Sequence, residues 1–181
     1  MPHEIVVGVT GGIAAYKTAS LVSELVQAGH LVTVAMTRSA RKFVGPATFR
    51  ALTGRAVATD IFDSRNFPLG AHIELAQQAE LLCVAPATAD FIAKAAHGIA
   101  DDLLSTLLLS FAGPVLLAPA MNADMWAKPA VQRNLAQIRS DGVNIVDPGE
   151  GWLSCRQKGV GRMAELEEIR IAISALLAKG E

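Results

Sequence analysis

Apolar residues follow two alternating rhythms along this chain. Short unbroken runs carry no polar face: Ile5-Val6-Val7-Gly8-Val9, Leu31-Val32-Thr33-Val34-Ala35-Met36, Leu81-Leu82-Cys83-Val84-Ala85 and Val115-Leu116-Leu117-Ala118. A central strand of a parallel sheet has this composition because helices cover both of its faces. Between the runs, apolar residues recur every three or four positions, predicting helices over 13–28, 47–52, 89–96, 102–109 and 131–139. A short strand is expected over 143–146. The recurrence of Leu166, Ile169, Ile173, Leu176 and Leu177 then marks a last amphipathic helix. Strands alternating with helices predict an α/β fold: a doubly wound, mainly parallel sheet with helices on both faces, a Rossmann- or flavodoxin-like three-layer sandwich. Two stretches follow neither rhythm, 62–71 and the glycine-rich 148–162.

Composition narrows the class. A chain of 181 residues suits one domain, expected to span 1–181. Sixteen basic and 17 acidic residues leave a net charge of -1, so no basic face for nucleic acid is expected. Hydrophobic residues reach 51%, yet no apolar run approaches the ~20 residues of a membrane span. The opening Met1-Pro2-His3-Glu4 lacks the basic segment of a signal peptide, and a cytoplasmic location is expected. High apolar content with only 5% aromatics fits surface buried against partner subunits, or equally a large core. The two cysteines have unlike surroundings and suggest no disulfide; no His or Cys pair has metal-ligand spacing, so no metal site is expected.

Candidate chemistry gathers at the strand ends. Asn122, in Pro119-Ala120-Met121-Asn122, falls just past the strand at 115–118, where open parallel sheets bind ligands. Its amide suits a carboxylate or amide, and it also suits capping a helix starting near Ala123. Thr10-Gly11-Gly12 joins a strand to a helix, where backbone amides and the helix end favour an anion. The second strand ends in Thr37-Arg38-Ser39, two hydroxyls and a guanidinium, where a NAD site would carry an acid. A phosphate monoester fits better, which favours FMN; an NADP site is the alternative. Pro86 is expected to stop the third strand, with Thr88 or Asp90 capping the next helix or facing the crevice. His3 and His30 read as surface residues, and His97 sits at a helix end. Cys83 lies within an apolar strand and reads as inert packing. Cys155 lies in the long glycine-rich stretch among Arg156, Lys158 and Arg162, cations that favour a thiolate on a functional loop or lid.

Four separated motifs occur in order: Gly11-Gly12-Ile13-Ala14-Ala15-Tyr16-Lys17; His72-Ile73-Glu74-Leu75; Pro119-Ala120-Met121-Asn122 with Met125-Trp126; and Cys155 with Gly159, Gly161 and Met163. With them the chain resembles, from about Glu4 to Leu177, the homo-oligomeric flavin-containing cysteine decarboxylases. The resemblance implies FMN held by Gly11, Gly12, Ile13, Thr37, Arg38, Ser39, Thr88, Ala89, Asp90, Phe91 and Ala120. It implies His72 as active-site base, Asn122 binding the substrate carboxylate, and Cys155 as proton donor. Cys155 would lie on a flap at about 148–163, lined by Trp152, Leu153 and Ser154.

The activity so implied is oxidative decarboxylation of 4′-phosphopantothenoylcysteine in coenzyme A biosynthesis, through a thioaldehyde and an ene-thiolate. The implied assembly is a homotrimer or a multiple such as a dodecamer, with flavin at subunit contacts. There are departures: Thr88, Asp90 and Phe91 stand where relatives more often carry Ser, Asn and Thr. Gln77 stands where a base is common, and Arg156 where a glycine is usual. The synthetase half of the bifunctional relatives is not represented, so cysteine ligation is expected on another chain. Three rival readings are a lantibiotic-type peptidyl-cysteine decarboxylase, a non-catalytic flavin-binding regulatory relative, and an NADP-binding reductase.

Overall fold

The computed structural model describes residues 1–179. Its strands are β1 (Glu4–Val9), β2 (Leu31–Met36), β3 (Leu81–Ala87), β4 (Val115–Pro119), β5 (Asn144–Ile145), β6 (Gly149–Trp152) and β7 (Lys158–Arg162). The helices are α1 (Ala15–Gln27), α2 (Pro46–Thr53), α3 (Ala71–Gln78), α4 (Ala89–His97), α5 (Leu103–Ser110), α6 (Ala123–Trp126), α7 (Pro129–Ser140) and α8 (Leu166–Leu177). Five strands form one sheet in the order β2-β1-β3-β4-β5, every neighbouring pair parallel. This is the flavodoxin-like arrangement, in which winding reverses between β1 and β3 and opens a crevice at the carboxyl ends of those strands.

Side-chain alternation along the strands divides the interior into two layers. Val7, Cys83 and Leu116 join α1, α2 and α8 on one face, whereas Val6, Val84 and Leu117 join α3, α4, α5 and α7 on the other. Fully buried side chains such as Leu21, Ile92 and Leu104 each contribute roughly 2 kcal/mol of apolar burial. Gly8 gives β1 its close packing, since a Cβ there would stand 2.7 Å from Leu104. Cys83 is packing, as expected, and burial pushes its thiol up to about 12.

Four expectations need correction. β3 runs through Pro86 to Ala87; a register shift between Val84 and Ala87 leaves Pro86 outside the ladder, so its missing N–H costs no sheet bond. The last parallel strand is shorter than 143–146, because only Asn144 and Ile145 pair with β4. The glycine-rich stretch is a hairpin, β6 antiparallel to β7, rather than a structureless loop. His3 and His30 are half-buried and joined, the His30 Nδ1 accepting from the His3 N–H at 3.4 Å, while His3 Nδ1 meets Glu80 at 2.8 Å. Among the described residues no helix is long and apolar enough to cross a membrane.

Candidate active site

The crevice between β1 and β3 is built by one side chain. Buried Thr10 donates its hydroxyl to the Pro86 carbonyl at 2.6 Å and accepts the Thr88 N–H at 3.0 Å, tying the two strand ends together. Gly11 brings in the end of β2 as well, for a Cβ there would lie 2.3 Å from Ser39 Cβ. Thr88 caps α4, accepting the Phe91 N–H at 3.4 Å. By contrast α1 starts with no side-chain cap and no acid in its first turn, so no side chain of its own neutralises its positive end at the crevice.

Two cavities meet here. One of about 530 Å³ gathers Thr37, Arg38 and Ser39 with Asp90 and Phe91, and the other, of about 670 Å³, gathers Gly12, Ile13, Ala120 and Asn122 beneath Trp152, Leu153 and Ser154. Gly11, Thr88 and Ala89 belong to both. Volumes of this size suit a cofactor with a small substrate. Phe91 contributes wall alone, being 1% exposed with its N–H taken by Thr88. Asp90 is turned to Lys94 at 3.3 Å, and Lys94 also meets Asp101 at 3.0 Å and Asp102 at 3.5 Å. Burial works against the Lys94 charge, but the hydrogen bond that it donates to Asp101 and the neighbouring carboxylates outweigh it and hold the ammonium above the ordinary lysine range.

Asn122 lines the larger cavity and caps a helix, the second of its two readings. Its Oδ1 caps α6 by accepting the Met125 N–H at 2.8 Å. With the acceptor so engaged, the Nδ2 N–H pair is what remains to offer the cavity, which suits a carboxylate and not a neutral amide donor. Cys155 is exposed in the turn between β6 and β7, directly after cavity-lining Ser154. Arg156 holds a left-handed φ of 63° at that turn, and its N–H donates to the Leu153 carbonyl at 2.9 Å. Of the cations near Cys155 in sequence, Arg162 is engaged elsewhere, with Glu165 at 2.9 Å.

His72 lies apart from both cavities. Gly70, at φ 101°, and the Glu74 carboxylate, which accepts the Leu69 N–H at 2.7 Å, shape the start of α3 and place His72 in its first turn. There it lines a separate hollow of about 490 Å³ with Phe62, Phe67 and Leu69. Its Nδ1 is buried with no hydrogen-bond partner among the described residues.

Lys17 is the residue to which sequence reading assigned no role. It lines the larger cavity, and its Nζ is buried without a hydrogen-bond partner among the described residues; Glu165 stands 4.0 Å away. The available signal was its position, because a cation in the first turn of a helix opposes the helix dipole. Among the described residues, no group of His, Cys, Asp and Glu side chains is disposed to hold a metal ion.

A parallel α/β sheet whose crevice carries an open helix end, a hydroxyl–guanidinium turn and a covering hairpin defines a class of cofactor-binding proteins. The chain belongs to the Flavoprotein family, whose model matches residues 1–178. It is 48% identical, over 99% of its length, to the coenzyme A biosynthesis bifunctional protein CoaBC of Mycobacterium bovis, and 49% identical over 92% to that of Bacillus subtilis. It spans only 42% and 41% of those two proteins. Among solved structures it is similar to the FMN-dependent cysteine decarboxylase SpaF, with 37% identity, TM-score 0.84, and 98% of this chain and 96% of that one covered. It is also similar to a PPC decarboxylase mutant complexed with pantothenoylaminoethenethiol, with 26% identity, TM-score 0.86, and coverage of 97% and 98%.

Proposed function

We propose that this chain is an FMN-dependent decarboxylase acting on 4′-phosphopantothenoylcysteine in coenzyme A biosynthesis. The observation that carries the reading is the larger cavity, where Asn122 N–H donors and the Lys17 ammonium face a space closed by the Cys155 hairpin. Those groups answer a ligand with two anionic ends, a carboxylate and a phosphate. The two joined cavities together fit FMN: Thr37, Arg38 and Ser39 of the smaller one and the α1 end, which lines the larger, answer its phosphate, while Thr88 and Ala89, shared by both, and Ala120 of the larger flank its ring. FMN, when bound, supplies reversible two-electron redox at the thiol-bearing carbon of the substrate, which no side chain here furnishes.

This chain's residues do the rest. Asn122 holds the carboxylate against the cavity wall through Nδ2 until it leaves as carbon dioxide. The His72 imidazole acts as the base, and the Cys155 thiol gives its proton to the carbon that lost the carboxylate. The hairpin excludes water from the ene-thiolate. Net, one proton replaces one carboxylate and no electrons are gained or lost. Because His72 lies outside both cavities of its own chain, the reading includes a homo-oligomer, a trimer or a multiple, in which a neighbouring copy supplies it. The cytoplasm is the proposed location.

The test is purification followed by assay. The protein is expected to be yellow, to release FMN and not FAD on heating, and to convert 4′-phosphopantothenoylcysteine to 4′-phosphopantetheine by mass spectrometry. A peptide ending in cysteine serves as the competing substrate. Turnover of the peptide alone, or a protein that cannot be loaded with FMN, refutes the proposal.

A further inference from the structure

Among the described residues, two charged side chains line the larger cavity, Lys17 from α1 and Arg162 from the end of β7. Glu165 stands between them. Its Oε1 pairs with Arg162 at 2.9 Å, and its Oε2 lies 4.0 Å from Lys17 Nζ. Glu165 also opens α8, where its N–H donates to the Glu168 side chain at 2.9 Å. Room for the Arg162 stem comes from Gly151, where a Cβ would sit 2.9 Å from Arg162 Cδ. The arrangement is thus cation, anion, cation, with net charge +1 at a cavity that no acid among the described residues lines.

The two cations differ in how firmly they are held. The Lys17 side chain is 16% exposed, whereas Arg162 is 41% and Glu165 59% exposed. Exposed ion pairs are weak, so the Arg162–Glu165 pair can be traded for a better anion at little cost. A phosphate monoester is such an anion, since it carries close to two charges and accepts a guanidinium through two oxygens at once. A neutral hydroxyl in its place offers no reason to leave Glu165.

We propose that Arg162 is a specificity-determining residue that exchanges Glu165 for the phosphate end of the substrate, and that Glu165 is an internal competing anion which makes the cavity select dianions. This rests on the reading that the substrate is phosphorylated, and it adds to the buried Lys17 charge an exchangeable contact that does the discriminating. Glu165 lowers affinity for every anion, and only a ligand able to displace it regains the loss.

The FMN-loaded wild type, Arg162→Gln and Glu165→Gln are compared in two assays. One reads the ratio of kcat/KM for 4′-phosphopantothenoylcysteine over pantothenoylcysteine. The other reads calorimetric affinity for 4′-phosphopantetheine, pantetheine and inorganic phosphate. Glutamine at 165 keeps the backbone N–H that donates to Glu168 at the start of α8, so this variant stays folded. Arg162→Gln is expected to lower the kcat/KM ratio and the matching affinity ratio by about tenfold, the scale of one lost charge-assisted contact. Glu165→Gln is expected to bind 4′-phosphopantetheine and inorganic phosphate more tightly than wild type. An unchanged ratio in Arg162→Gln overturns the proposal, and so does a Glu165→Gln variant that binds phosphate more weakly. If the wild type turns over neither substrate, the proposed function fails, and the calorimetric arm still decides the role of Arg162.

Discussion

At the scale of single residues, chemistry and architecture share atoms. Asn122 Oδ1 stabilises α6 while Nδ2 is left for a ligand, so substitution can separate the two roles. In Asn122→Asp the carboxylate still accepts the Met125 N–H, because aspartate caps helices as well as asparagine. The donors toward the cavity are lost and a negative charge faces the substrate carboxylate. The melting temperature is expected to stay within a few degrees of wild type while decarboxylation falls below detection; a large loss of stability with residual activity goes against this division of labour. His30, far from the site in function, carries a pH dependence. Burial, and then the His3 charge, lower its pKa from the ordinary value of 6.5. A base with a depressed folded-state pKa takes up its proton more readily when unfolded, so its contribution is present above 6.5 and is lost as pH falls below that value. Melting temperature is therefore expected to fall more steeply in wild type than in His30→Gln between about pH 7 and about pH 5, and parallel curves would show that His30 is not the group responsible.

At the scale of elements, the hairpin is fastened to the Asn122 segment and does not hang free. The Met121 N–H donates to the Gly161 carbonyl at 2.9 Å, and a Cβ on Gly161, at φ 139°, would stand 2.3 Å from the Met121 carbonyl. A Cβ on Gly159 would meet Ala123 at 2.8 Å. Gly161→Ala must therefore push β7 off the loop that carries Asn122, and loss is expected of both product formation and protection of the Met121 amide in hydrogen exchange. An alanine variant with wild-type rate and exchange would show that this docking is dispensable. The same contacts explain what sequence could and could not reveal. The parallel strands and most of their helices were legible because burial on two faces writes unbroken apolar runs, as at 81–85 and 115–118, whereas α3 fell in no predicted helix. β6 and β7 were not, because alternate positions are Gly149, Gly151, Gly159 and Gly161, which are silent in a hydrophobic pattern; the last three make room for Arg162, Ala123 and the Met121 carbonyl. Candidate positions such as Gly11, Thr88 and Asn122 could be read as strand-end residues, whereas Lys17 and Arg162 could not. Their importance lies in which carboxylate stands between them, and Glu165 comes to that place through the docking of α8.

At the scale of the whole molecule, the proposed catalytic set is divided between surfaces. Asn122 and the Cys155 hairpin border the larger cavity, whereas His72 borders a hollow beside Phe62, 87% exposed, and Leu69, 70% exposed. Large apolar side chains left open beside a half-buried histidine mark a surface suited to covering by protein, and Ile13, 53% exposed at the rim of the cavity, is suited in the same way. A heterologous contact, repeated around a three-fold axis, would bring the hollow of one copy to the cavity of the next. Mixing of two inactive variants tests this directly. His72→Asn lacks the proposed base, and Cys155→Ser lacks the proposed proton donor and is expected to stop at the oxidised product, so neither alone is expected to make 4′-phosphopantetheine. Co-expressed in equal amounts, they assemble some sites that take His72 from one copy and Cys155 from another. Random assortment makes such sites about one quarter of the total. Reduced product is expected at roughly that fraction of the wild-type rate, with a trimer or a multiple of it by light scattering. If both groups came from one chain, no mixed assembly would hold a complete site. A mixture without reduced product, or a fully active monomer, would then place His72 and Cys155 in a single subunit and refute the shared site.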